Sequence, residues 1–151
     1  MWKKTCWFFC VALAVIISAC SSYAAPSSSS VSSNNDQEEI IISKFPDDQS
    51  LHDFTPQTGG EVVLTTKAPK QVSMILNAIK KAEIVSGTHN IADPTHIISI
   101  QKNGKEINRY FLWVFEDIPQ GSIMHTADTT TIYAFSVEQT DLIKKVISQK
   151  D

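Results

Sequence analysis

Asn103-Gly104, set between THIISIQK and KEINRYFLWVF, is the feature that most constrains the fold of this chain. Two apolar runs joined by Asn-Gly predict a β-hairpin with a two-residue type I′ turn, because that turn needs positive φ at both central positions, and Asn and Gly tolerate it best. A two-residue loop also sets the register. It is expected to pair Lys102 with Lys105, Ile100 with Ile107, Ile98 with Arg109 and His96 with Phe111. One face of the hairpin would then carry Ile98, Ile100, Ile107, Phe111, Trp113 and Phe115, and the other Ile97, Tyr110, Leu112 and Val114. The second strand is apolar on both faces at its far end, so it is expected to be central there and covered on both sides.

Around this hairpin the pattern is that of an α+β domain. EEIIISKF (38–45) suits a short strand, residues 45–60 read as a loop punctuated by Pro46, Pro56, Gly59 and Gly60, and EVVLTT (61–66) is a strand. Pro69 suits a first helical turn, where its missing N–H would be unbonded anyway, and Val72, Ile75, Leu76 and Ile79 follow as one apolar stripe. Gly87 and Asp93-Pro94 close the connection to the hairpin. SIMHT and TIYAFS suggest a second hairpin. Ser136 with Gln139 matches a capping box that opens a last helix, whose stripe is Leu142, Ile143, Val146 and Ile147. The expected architecture is a mainly antiparallel sheet of four or five strands with two amphipathic helices packed on it, one domain spanning 37–151.

The N-terminus predicts the location. Lys3 and Lys4 precede twelve apolar residues, Cys6 to Ile17, which has the form of a secretory signal and is shorter than the ~20 residues a spanning helix needs. Ile17-Ser18-Ala19-Cys20 resembles a bacterial lipobox. That resemblance implies a signal peptide of residues 1–19, a diacylglycerol thioether on Cys20 and cleavage before it. Two rival readings are ordinary secretion after Ser22-Tyr23-Ala24 and a simple buried thiol at Cys20. On the lipobox reading Cys6 and Cys10 leave with the signal, so the mature chain forms no internal disulfide. Residues 21–36 are half serine and hold one branched aliphatic, too little to offset the entropy of ordering. Such a tether has an r.m.s. span of roughly 20–24 Å.

The chain has 13 basic and 16 acidic residues. Without Lys3 and Lys4 the basic count falls to 11, for a formal charge of −5. An acidic domain without a basic stripe excludes nucleic acid as the natural partner and leaves membrane attachment to the lipid.

RYFLWVFED, GSIMHTADTTTIYAFS and the terminal amphipathic helix together resemble the YhfM-like domain of small Bacillus-type lipoproteins, over roughly residues 60–147. The resemblance implies the location and the fold, and brings with it no activity or site residues.

The residues themselves offer little chemistry. His52, His89, His96 and His125 show no close ligand spacing. His89, His96, His125 and Asp128 would make a metal site only if their loops converged, so no metal and no cofactor is expected. His96, placed opposite Phe111, is expected to be a strand-end histidine packed on aromatics. Glu116, Asp117 and Asp128 read as solvated strand ends. There is no G-x-S-x-G elbow and no phosphate-cradling glycine loop. Arg109 is the only arginine, and could pin an anion, stack on Trp113 or Phe111, or reach Asp93 or Glu106 at the core edge. The candidate binding residues are therefore Arg109, Trp113, His125 and Asp128, with Cys20 the lipidation site. The expected function is a lipid-anchored extracytoplasmic module that binds an envelope protein or a small molecule. The alternatives are an envelope enzyme whose hydrolytic or metal site forms only in the fold, and an inhibitor or accessory subunit of such an enzyme.

Overall fold

The computed structural model describes residues 37–55, 60–87 and 91–149. The signal segment, Cys20 and the tether lie outside these residues, as do Pro56, Gly59 and His89. The elements run β1 (Glu38–Lys44), β2 (Val62–Thr66), α1 (Pro69–Lys81), β3 (Glu83–Ile84), β4 (His96–Lys102), β5 (Lys105–Trp113), β6 (Ser122–His125), β7 (Ile132–Ala134) and α2 (Val137–Ser148). The strands form one sheet in the order β2-β1-β4-β5-β6-β7-β3, with every neighbouring pair antiparallel.

The fold class is thus the expected one, with seven strands among the described residues where four or five were expected. β3 accounts for part of the difference. It is two exposed residues long, too short to show a period, and it forms only because the chain leaving α1 meets β7 at the far edge. At 1.5 Å per residue the 13-residue α1 is about 20 Å long, enough to carry the chain across much of the sheet between its two edge strands.

The turn forms as read: Asn103 and Gly104 have φ of 55° and 74°. The register beyond it differs. Lys102 pairs with Lys105 and Gln101 with Glu106, after which a bulge at Ile107 shifts the ladder, so Ile100 faces Asn108, Ser99 faces Arg109, Ile98 faces Tyr110 and His96 faces Leu112. One extra residue moves every later side chain to the opposite face. Ile107 is consequently 46% exposed. Ile98 and Ile100 share a face with Tyr110, Leu112 and Val114, while Phe111 and Trp113 join Ile97 on the other.

Both helices cover the Leu112 face. Val72, Ile75 and Ala78 of α1 and Ile143 and Val146 of α2 pack there with Ile40, Ile42, Leu64, Ile123 and Phe135. α2 opens with the expected capping box: Gln139 N donates to Ser136 Oγ (3.2 Å) and Ser136 N donates to the Gln139 side chain (2.7 Å). Its stripe is rotated from expectation, since Leu142 is exposed while Thr140 is fully buried. Among the described residues no helix covers the Trp113 face. Phe45, Leu51 and Phe54 from the loop after β1 cover it, together with Val85 and Ile91 from the segment after β3. Phe54 packs edge-on against Phe111, with ring centroids 4.9 Å apart.

A candidate binding groove at His96

Each of the candidate binding residues Arg109, Trp113, His125 and Asp128 has a partner within the domain. Arg109 donates through Nε (2.9 Å) and Nη2 (2.8 Å) to Oε2 of Glu106, which also accepts from Ser99 Oγ. The bulge at Ile107 brings this trio together, and it closes the polar end of the sheet face that carries Trp113. Trp113 is 4% exposed, and its indole N–H donates to Ala92 O at 2.7 Å. It is therefore core, held by the loop that covers it.

His125 stacks edge-on against Tyr110, its Nδ1 accepts from Ala127 N (3.0 Å), and its Nε2 lies 3.3 Å from Asn108 Oδ1. Because Nδ1 accepts, Nε2 carries the proton and donates to Asn108. Neither nitrogen keeps a lone pair for a ligand. Asp128 accepts from Thr130 N (3.1 Å) and Thr130 Oγ1 (2.7 Å) through Oδ1, while its own N–H donates to His125 O. These hydroxyl and amide donors hold its carboxyl below the ordinary value. It organises the β6–β7 turn. His96 and His125 pair with Leu112 and Tyr110 from opposite sides of β5, so two strand spacings and a two-residue offset, about 12 Å in all, separate them. Among the described residues no group of three or more His, Cys, Asp or Glu side chains could hold a metal ion, and His89 lies outside them.

The residue with open chemistry is His96. It was expected to pack against Phe111, but the bulge sets Leu112 opposite it, and it lies on the helix-covered face with Ile98 and Ile100, between Lys44 of β1 and the end of α2. Two depressions meet at it. One, of about 490 Å³, is lined by Val114, Glu116, Lys144, Lys145, Ile147 and Ser148. The other, of about 570 Å³, runs along β2 and the Lys44–Glu61 ion pair.

Hydrogen bonding assigns the imidazole tautomer. Thr95 Oγ1 lies 3.0 Å from Leu112 O, and two oxygens at that separation need a hydrogen between them, so the hydroxyl donates to that carbonyl. The same oxygen accepts from Val114 N (3.1 Å) and stands 2.9 Å from His96 Nδ1. With its one proton committed, it accepts from Nδ1–H. Nε2 is left as a lone pair. No side-chain nitrogen among the described residues is both buried and without a partner, so Nε2 is not sealed from solvent, and His96 lines both depressions. Burial pushes the imidazole below its ordinary value and the Lys44 ammonium adds to the shift, so the ring is neutral at physiological pH. A neutral imidazole oriented by a second hydrogen bond is a ready acceptor for an N–H or O–H donor. The sequence carried one signal of this, a Thr directly before a strand-end His, which means nothing until the register is known.

The chain belongs to the YhfM family: the model for the YhfM protein matches residues 30–151. No curated protein matches it, and no solved structure does.

Proposed function

We propose that this YhfM-family chain is a lipid-anchored extracytoplasmic protein whose domain binds a partner in the groove at His96. The anchor rests on the lipobox-like Ile17-Ser18-Ala19-Cys20 and the serine-rich segment behind it. The binding role rests on one observation, the open Nε2 lone pair of His96 at the meeting of two depressions. Beside it stand apolar Val114 and Ile147 and the ammonium groups of Lys144 and Lys145. Lys144 already donates to Ile118 O (2.8 Å) and Glu116 O (3.3 Å), fixing the groove wall. The chemistry suits a ligand that combines an apolar portion with an N–H or O–H donor, as a peptide segment of an envelope protein does. Such a site orients and holds, and asks no proton transfer of the domain.

A single experiment covers both halves of the reading. In cells fed a labelled fatty acid, the native chain takes up label and is processed, and Cys20→Ala abolishes both. A photo-crosslinker at Lys145 captures the same envelope component from the native and the Cys20→Ala chains, and His96→Ala reduces that capture. Label retained by Cys20→Ala refutes the anchor, and capture indifferent to His96 refutes the groove. An envelope enzyme is the second reading, since the same nitrogen could accept a proton. Ser148, which shares the depression at α2 with it, donates to Lys145 O (3.1 Å), and Thr65 lines the other depression.

A further inference from the structure

Resting on the reading of His96 as a binding groove, we propose that this groove receives the C-terminal end of a peptide chain, with its carboxylate on Lys144 and its last amide N–H on His96 Nε2. Charge decides the direction. The depression at α2 is lined by two ammonium groups, Lys144 and Lys145, against one carboxylate, Glu116, whereas the depression along β2 holds the closed pair of Lys44 and Glu61. An anionic end therefore belongs in the first and a neutral stretch of chain in the second.

Lys144 is the cation held in place. Its Nζ donates to Ile118 O (2.8 Å) and Glu116 O (3.3 Å), but both acceptors are backbone carbonyls, and no carboxylate among the described residues pairs with it. Its charge is thus fixed in position without being compensated, and one of its three N–H donors is left over. A lysine near the end of a helix needs no ligand to explain it, since it complements the negative end of the dipole. A fixed ammonium donor that shares a cavity with a neutral imidazole acceptor asks for more. Together they complement the two groups that the last residue of a peptide carries, a carboxylate and an amide N–H. Apolar Val114 and Ile147 stand beside them to receive that residue's side chain. His96 and Ile147 line both depressions, so the preceding residues pass at that point into the second. At about 490 and 570 Å³ each depression has the size of a small-ligand site.

The test titrates acetylated tetrapeptides ending in alanine, valine, leucine or phenylalanine into the full chain in detergent micelles at neutral pH. Binding is read by NMR from the His96 ring nitrogens and the Val114 and Ile147 amides. The free acids are expected to bind with millimolar or tighter dissociation constants, and the C-terminal amides about tenfold more weakly. Methylating the last amide nitrogen is expected to weaken the acids by a similar factor. In K144Q acid and amide should bind alike, and in H96A the methyl should cost nothing further, whereas a merely structural loss weakens every ligand equally. Circular dichroism checks the folding of each variant. Acids that bind no better than amides overturn the proposal and leave the groove standing. So do peptides that leave these signals unmoved up to about 10 mM while capture by the Lys145 crosslinker still depends on His96. Capture indifferent to His96 removes the groove itself, and this occupant with it.

Discussion

Thr140 offers a measurable test of how the last helix is fastened to the sheet. It is fully buried on α2, where its hydroxyl donates to Ser136 O (2.9 Å) and accepts from Gly121 N (2.9 Å). Gly121 can come that close because it lacks a side chain: a Cβ there would lie 2.7 Å from Trp113 O and 2.9 Å from Val114 Cγ1. Thr140→Val keeps the shape of the side chain and removes the acceptor. The Ser136 carbonyl is not orphaned, since it still accepts from Thr140 N (2.9 Å). The Gly121 N–H is. A buried donor left without a partner costs about 1–3 kcal/mol, and no methyl is lost to confuse the result. For a domain of this size each kcal/mol lowers Tm by about 4 °C, so a fall of about 4–12 °C is expected in a thermal melt followed by circular dichroism. Thr140→Ser serves as the control, because it keeps the hydroxyl and loses only the methyl. If Thr140→Val melts within a degree of the native chain, the Gly121 N–H has found water or another acceptor, and the hydroxyl is not the fastening.

Gly104→Val is expected to destabilise the domain by about 1–3 kcal/mol in urea unfolding, wholly through backbone conformation, since nothing lies within 4 Å of a Cβ built there and its φ is +74°. An unchanged midpoint and slope would contradict the turn. His96 is expected to titrate below its ordinary value and to show the Nδ1–H tautomer by nitrogen NMR. Its folded pKa is the depressed one, so the unfolded chain takes up the proton first as pH falls below about 6.5. Stability that is complete above that pH should decline until the folded pKa is passed, and His96→Gln should flatten that part of the profile. Equal pH dependence in the two proteins would refute the assigned burial.

The features legible in the sequence were those written into a few neighbouring residues. Asn103-Gly104 names its turn type, Ser136 and Gln139 name a cap, and Pro69 names a helix start, each by local stereochemistry. The bulge at Ile107 was not legible. EINRYFLWVF is polar near the turn and apolar on both faces further on, so a slip of one residue leaves no apolar side chain conspicuously misplaced, and Ile107 itself looks like core. The α2 stripe failed for a related reason. Leu142 outranks Thr140 in hydrophobicity, but Thr140 faces the sheet because its hydroxyl caps Gly121. Arg109, His125 and Asp128 were noticed as polar groups beside an apolar strand, and their partners at Glu106, Asn108 and Thr130 are as close in space as the hairpins bring them.

The bulge is also the link between fold and groove. With an unbroken two-residue alternation Phe111 would lie opposite His96, and β5 would send its aromatics to the face that His96 shares with Ile98 and Ile100. With the bulge Leu112 stands opposite His96 instead, on the helix-covered face at the point where α2 ends, and Phe111 goes to the other face. The same shift sends Trp113 to the loop-covered face, where its N–H finds Ala92 O. A single residue at 107 thus decides which side chains of β5 meet the helices and which of them stands beside His96. Deleting Ile107 would exchange the two faces throughout the far half of β5, setting Phe111 beside His96 on the helix-covered face and stripping Trp113 of the loops that cover it.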